Sequence, residues 1–327
     1  MSVVTIKDVA EKAHVSVYTV SRVLNKRGYI SQETYNKVNA AIEELNYSPN
    51  QLARSLFRQK TNIIGLIIPD VSHPFFAELT KQIEKYLYQR NFKMLLCNTV
   101  GESHRERDYI QMLRQNKVDG IIIGSHTLEL EEYEKLDLPI VSLDMDLGSN
   151  IPSVGSDHTM GGSLAAEELI RCGCQRVVQV MGDKRVRTPS HMRHYAFLEK
   201  LEANNVHCET IELREGEFDP DNYSDVRKET LRKYPDLDGF FAVDLIAANF
   251  IKIASEHGQC IPEQIKVVGY DGINIAKLYN PQISTIVQPI NAIAKTAVEK
   301  LDNLINKKPV SNFKEVLPVT FQIGRTT

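Results

Sequence analysis

Residues 5–25, TIKDVAEKAHVSVYTVSRVLN, constrain the fold more than any other part of this 327-residue chain. They fit two short helices joined by a tight turn. Thr5 and Asp8 have the spacing of a capping box that opens the first helix, whose apolar face is Ile6, Val9, Ala10 and Ala13. Ser16 is placed to cap the second helix, with Val20, Val23 and Leu24 facing inward. The outer face of that helix carries Val17, Tyr18, Ser21, Arg22 and Asn25. Short polar groups, a hydroxyl-bearing ring and a guanidinium suit a helix lying in a DNA major groove. A plain helical hairpin with a solvated face would show the same pattern, so the segment alone leaves both readings open.

The next stretch of chain favours the DNA-reading helix. Ser31 can cap a third helix, SQETYNKVNAAIEELNY, with Val38, Ala41, Ile42 and Leu45 on its buried side. Next, in YSPNQLARSLFRQK, Pro49 stands where a helix can begin and Asn50 to Leu56 supply two turns. Residues 1–60 carry nine Lys/Arg against five Asp/Glu, about +4, whereas the whole chain is −3, which leaves about −7 for the remainder. The positive charge sits where phosphate contacts would be needed.

From Thr61 the pattern changes. IIGLIIP, KMLLCN, VDGIIIG and PIVSL are short apolar runs separated by helical stretches such as AELTKQIEKYLYQR and ESHRERDYIQMLRQN. The alternation restarts near Gly161 and runs through RVVQVMG, MRHYAFLEKLEANN, NYSDVRKETLRKY, DGFFAVD and KVVGYDG. Alternating strands and helices over some 267 residues predict two doubly wound parallel sheets. In such sheets ligands bind beyond the carboxyl ends of the strands. Asp70, Ser72, Phe75 and Phe76 follow IIGLIIP; Asp144 follows PIVSL; Arg187 and Arg193 flank the loop after RVVQVMG. Phe218 lies in GEFDP, Asp244 follows GFFAV, Asp271 follows KVVGY, and Gln288 sits in TIVQP. Carboxylates and guanidinium groups around aromatic rings suit a polyhydroxylated ligand, whose hydroxyls both donate and accept. For Asp70 and Asp244, simple capping of the next helix competes with that reading, and Phe75 can equally pack in the core. The loop KRVRTPSHMRH is rich in basic residues, which would favour an anionic sugar or merely be solvated.

TIKDVAEKAHVSVYTVSRVLN, YSPNQLARSL and the α/β pattern after them resemble the LacI/GalR family of bacterial transcription regulators, over the whole chain. Within it, NKRGYIS, the hinge NQLARSL, DGIIIGSH and VVGYDG are similar to sucrose-operon repressors of Gram-positive bacteria. The resemblance implies a helix-turn-helix headpiece at 1–46, a hinge helix at 47–60 and a periplasmic-binding-protein-like core of two lobes. The first lobe would hold 61–160 plus 289–318, and the second 161–288 plus 319–327. It implies that Val17 and Tyr18 read operator bases and that Arg22 contacts a base or phosphate in the groove. Thr5, Ser16, Thr19, Ser21, Asn25, Tyr29, Ser31 and Asn50 complete the DNA-facing set, several of them holding the sugar-phosphate backbone. Ala53 and Leu56 match minor-groove positions, where a leucine pair kinks the duplex. Arg193 and Asp271 match the most family-typical effector contacts. Phe76, Phe218 and Gln288 match ligand-stacking or hydrogen-bonding positions, with Asp70, Phe75, Asp144, Arg187 and Asp244 completing the effector set. The chain departs from some sugar-responsive members at Val243, where they carry an amide.

The partners so implied are a pseudo-palindromic operator, a sugar such as sucrose or fructose that releases the protein, and a second copy of the chain. A phosphocarrier protein acting as corepressor is the alternative. A transport binding protein of the same core fold would lack the headpiece. No P-loop, GxSxG elbow or HExxH pattern appears, and the five cysteines lack zinc-type spacing, so no catalysis, cofactor or metal is expected. With no long apolar run and no signal-peptide pattern, the expected location is the cytoplasm, and no membrane contact is expected. The lack of a leucine-heptad tail implies a dimer rather than a tetramer.

Overall fold

The structure, a computed structural model, describes residues 4–25, 28–47, 60–100, 102–185, 188–213 and 230–327. The chain forms two compact units, Met1–Thr61 and Asn62–Thr327.

The small unit contains α1 (Ile6–Lys12), α2 (Val17–Asn25) and α3 (Gln32–Glu44). The Asp8 carboxylate accepts from both the backbone N–H and the hydroxyl of Thr5, at 2.7 and 2.8 Å, which fastens the first turn of α1. His14 takes φ +52° and Val15 N–H returns to the Ala10 carbonyl, so the chain leaves α1 sharply. Ser16 accepts from Thr19 N–H at 3.1 Å and Ser31 from Thr34 N–H at 3.3 Å, capping α2 and α3. Val9, Ala10, Ala13, Val20, Val23, Val38 and Ala41 form the core, with Ile6, Leu24, Ile42 and Leu45 half-buried around it. Asn50, Ala53 and Leu56 lie outside the described residues.

The large unit holds two six-stranded sheets. In chain order its elements are β1 (Ile63–Ile68), α4 (Pro74–Gln89), β2 (Lys93–Asn98), α5 (Ser103–Gln115), β3 (Gly120–Ile123), α6 (Leu130–Glu134), β4 (Ile140–Leu143) and β5 (Ser153–Ser156). Then come α7 (His158–Arg171), β6 (Arg176–Met181), α8 (Met192–Glu202), β7 (His207–Glu212), β8 (Gly239–Phe241), α9 (Asp244–Glu256), β9 (Lys266–Asp271), α10 (Asn274–Leu278) and β10 (Ser284–Val287). The chain finishes with α11 (Ile290–Ile305), β11 (Lys314–Leu317) and β12 (Thr320–Gln322). The first sheet has the order β11-β5-β4-β3-β1-β2 and is wholly parallel. The second has the order β12-β10-β9-β8-β6-β7, parallel except where β12 runs against β10.

The central strands read as unbroken apolar runs because helices cover both faces. Ile64, Leu66 and Ile68 pack toward α4 and α11, while Ile67, Ile121 and Ile123 pack on the other side with Leu113 and Tyr133. KMLLCN differs from that pattern. It forms the edge strand β2, and Leu95 and Leu96 are exposed.

The chain passes between the sheets three times: after β5, after β10, and between β11 and β12. Each lobe is therefore assembled from separate stretches of chain. Asp157, in the first passage, caps α7 by accepting from Met160 N–H at 2.8 Å. Gln288 lies in the second passage.

Candidate functional site

The outer face of α2 is laid out for recognition. Val17 is 41% exposed, Tyr18 71% and Tyr29 89%, unusual values for side chains of their size. Arg22 donates to the Tyr29 carbonyl at 3.0 Å, and its guanidinium stands 5.8 Å from the Tyr18 ring centre. Gly28, at φ +69°, makes this possible, since a Cβ there would sit 2.3 Å from the Arg22 guanidinium. Asn25 donates to the Ser21 carbonyl at 2.7 Å, which holds its amide along the helix. Thr5, Ser16 and Ser31 are exposed caps, so the N-termini of three helices carry hydroxyls able to meet phosphate oxygens.

In the large unit, residues from both sheets meet at the carboxyl ends of the strands. Asp271 ends β9 at φ +115° and Asp144 follows β4 at φ +68°. Such backbone is costly for a side chain other than glycine, and it clusters at functional sites. Gln288 donates to Asp271 Oδ1 at 2.8 Å and accepts from the Ser156 hydroxyl at 2.7 Å. This ladder joins the first passage between lobes to the second. Burial pushes the Asp271 carboxyl up, and the nearby Arg193 guanidinium opposes that shift. Arg193, at the start of α8, lies 4.3 Å from the Tyr270 ring centre and donates to His194 Nε2 at 3.3 Å. Its backbone approaches α7 closely, because a Cβ on Gly162 would fall 1.9 Å from the Arg193 carbonyl oxygen.

Asp144 Oδ2 pairs with His158 Nε2 at 2.7 Å, and its Oδ1 accepts from Ser156 N–H at 3.1 Å. Burial works against its charge, yet His158 and that N–H hold its carboxyl below the usual carboxylate range. His73, before α4, senses Asp271, Arg193 and Asp70, and burial lowers its imidazole. Its buried Nδ1 has no hydrogen-bond partner among the described residues. Phe75 and Phe76 meet edge-on at 5.2 Å and pack against the first-lobe core. Asp70 spends its oxygens on the N–H and hydroxyl of Ser72, at 2.9 and 2.8 Å, closing a tight turn.

Asp244 is a correction to the sequence expectation. It is fully buried, with Oδ1 accepting from the Thr285 hydroxyl at 2.5 Å and Oδ2 from Ile273 N–H at 2.9 Å. Burial, then the Asp271 charge, push its carboxyl well above the ordinary value. It ties the start of α9 to β10 and to the loop after β9, inside the second-lobe core. Val243 is likewise buried, against the second-lobe core. Arg187 and Phe218 lie outside the described residues.

Sequence reasoning missed His73, Ser156, His158 and Tyr270. Tyr270 and Asp271 are adjacent, and strand alternation sends only one of two neighbours to a given face. The positive φ at Asp271 breaks that rule and lets both line the site. His158 had one signal, its place in SDHTMGG at the opening of a helix next to a predicted passage between lobes.

A DNA-reading headpiece ahead of two wound sheets with a polar site at their strand ends defines a ligand-responsive DNA-binding regulator. Residues 5–50 match the model for bacterial regulatory proteins of the lacI family, and 166–327 match that for a periplasmic binding protein-like domain. The ribose operon repressor of Halalkalibacterium halodurans is 40% identical over 324 residues, covering 99% of this chain and 97% of the relative. The sucrose operon repressor of Pediococcus pentosaceus is 40% identical over 301 residues, 90% of each. Among solved structures, the lac repressor dimer bound to operator and the anti-inducer ONPF superposes with a TM-score of 0.87 at 26% identity, covering 100% of this chain and 99% of that one. The chain belongs to the lacI family of bacterial regulatory proteins, as a DNA-binding transcriptional repressor. No helix among its described residues is long and apolar enough to cross a membrane.

Proposed function

We propose that the protein represses a carbohydrate-utilisation operon and is released from its operator by a small sugar held between the two lobes. One observation carries this reading. Asp271, Gln288 and Ser156 form a buried hydrogen-bonded ladder between lobes, beside Arg193 lying on the Tyr270 ring. Paired donors and acceptors on a stacked guanidinium–aromatic floor match the hydroxyls and ring face of a sugar. The unpartnered Nδ1 of His73 supplies a further acceptor or donor for a hydroxyl. Relatives named for ribose and sucrose operons support ribose, sucrose and its constituent fructose as the candidate effectors.

Two copies would set two headpieces on the halves of a pseudo-palindromic operator, because protein symmetry has to match half-site symmetry. Val17, Tyr18 and Arg22 would then read bases, with Thr5, Ser16 and Ser31 holding phosphates. The sugar acts by binding one arrangement of the lobes more tightly than the other. A tenfold preference per site shifts the equilibrium by about 1.4 kcal/mol.

Fluorescence anisotropy on a symmetric operator, at one fixed salt concentration, tests this. D-Ribose, sucrose, fructose and their phosphates are added singly. Release by one of them is expected. Tighter binding, or no response until a phosphocarrier protein is added, would replace induction with corepression.

A further inference from the structure

His158 opens α7 immediately after the first passage between lobes, and it joins the two sides. Its Nε2 lies 2.7 Å from Asp144 Oδ2 in the first lobe, and its Nδ1 lies 2.9 Å from the Tyr270 hydroxyl in the second. The imidazole is buried and roughly stacked on the Tyr270 ring. The Asp144 carboxylate only accepts, so Nε2 carries the proton. Tyr270 is fully buried and stays a phenol, so its hydroxyl donates to Nδ1. The other groups with which His158 interacts electrostatically are Asp271 and His194.

The seat under this chain is built close. Along α7, positions 158, 161 and 162 share one face. A Cβ on Gly161 would stand 2.7 Å from the Tyr270 hydroxyl, and one on Gly162 would meet the Arg193 carbonyl oxygen. On the other side, a Cβ on Gly155 would fall 2.1 Å from Asp144 Oδ1. The Tyr270 ring therefore cannot retreat toward α7 when the guanidinium above it moves. Its displacement has to act on His158.

We propose that His158 is a positioning residue that transmits the state of the effector site to the junction of the lobes, through the series Arg193, Tyr270, His158, Asp144. The assignment rests on the sugar-responsive reading of the site. A ligand that draws Arg193 off the ring loosens Tyr270, and the Asp144–His158 link between lobes moves with it.

The test uses the full chain, a labelled symmetric operator, and D-ribose and sucrose as probes. The quantity read is the ratio of operator Kd with and without saturating sugar. His158→Ala should reduce that ratio by about tenfold, within the usual range of allosteric coupling. Sugar affinity in the absence of DNA, measured by calorimetry, should change by less than about threefold. His158→Asn, which keeps one donor and one acceptor, should restore part of the ratio. Tyr270→Phe keeps the ring that floors the site and removes the hydroxyl that meets His158, so it should lower the same ratio, with its sugar affinity measured alongside and free to change; the ratio carries the test if the alanine variant does not fold. Nitrogen-15 NMR should show the ring protonated at Nε2 and bare at Nδ1. A folded His158→Ala protein with the wild-type ratio, or the opposite tautomer, would overturn the proposal. If neither sugar releases the wild type, the sugar reading fails and operator affinity decides the role of His158. A shift of about threefold or more in both variants supports it, and unchanged affinity overturns it.

Discussion

Replacing Gln288 with leucine tests the ladder between the two passages most directly. Gln288, Ser156 and Asp271 are all buried, and the glutamine satisfies one group on each side, at 2.7 and 2.8 Å. Leucine has a similar volume and no polar atom, so it leaves little room for a replacing water. Both partners lose a hydrogen bond while staying buried. An orphaned buried group costs about 1–3 kcal/mol, with charged groups at the upper end. Arg193 still offsets part of the Asp271 charge. The expected loss is about 3 kcal/mol, or a fall in Tm of about 6–12 °C at about 2–4 °C per kcal/mol for a unit of this size. Urea unfolding followed by circular dichroism reads it, because the chain has 13 tyrosines but no tryptophan for fluorescence. Asp271→Asn and the double variant complete a cycle, and the two changes should fall short of additivity. A loss below about 0.5 kcal/mol would refute the ladder as a structural link between lobes.

Gly162→Ala should force α7 away from the start of α8, since its Cβ would sit 1.9 Å from a backbone oxygen; a loss of about 1–3 kcal/mol is expected, and an unchanged urea midpoint would contradict the close approach. Arg22→Ala should weaken operator binding by about 1–3 kcal/mol and relax preference at one base pair per half-site; equal weakening across all operator variants, with a smaller salt slope, would make Arg22 a phosphate contact instead. Burial pushes His126 down from 6.5 to about 4, so the unfolded chain takes up this proton first as pH falls. Stability from this group is full above pH 6.5 and declines by about 3 kcal/mol in total down to pH 4. His126→Gln should flatten the urea midpoint against pH across that window, leaving the slope that His73, His191 and His194, also lowered by burial, contribute; identical slopes for both proteins would sink the assignment.

The headpiece was legible because its determinants are local. Caps at Thr5, Ser16 and Ser31, and apolar residues three and four apart, act within a turn or two of chain. The doubly wound core was legible for a related reason, since each strand or helix announces itself by length and periodicity. Position at or just after a strand's carboxyl end singled out Asp144, Asp271 and Gln288 as candidates, whereas Arg193, at the start of α8, was singled out by the loop it flanks and by the resemblance. Direction and partnership were not local. Asp244 also follows a strand, yet it turns into the core because Thr285, 41 residues away, offers a hydroxyl there. His158 gains its meaning from Tyr270, 112 residues on, and from Asp144, 14 residues back across a passage between sheets. Single positive-φ residues at Asp144 and Asp271 then aim side chains against the alternation of their strands. Short-range sterics and periodicity fix which elements form, and the sequence carries those alone; which polar groups meet depends on how separate stretches of chain are laid side by side, and only the tertiary structure decides that.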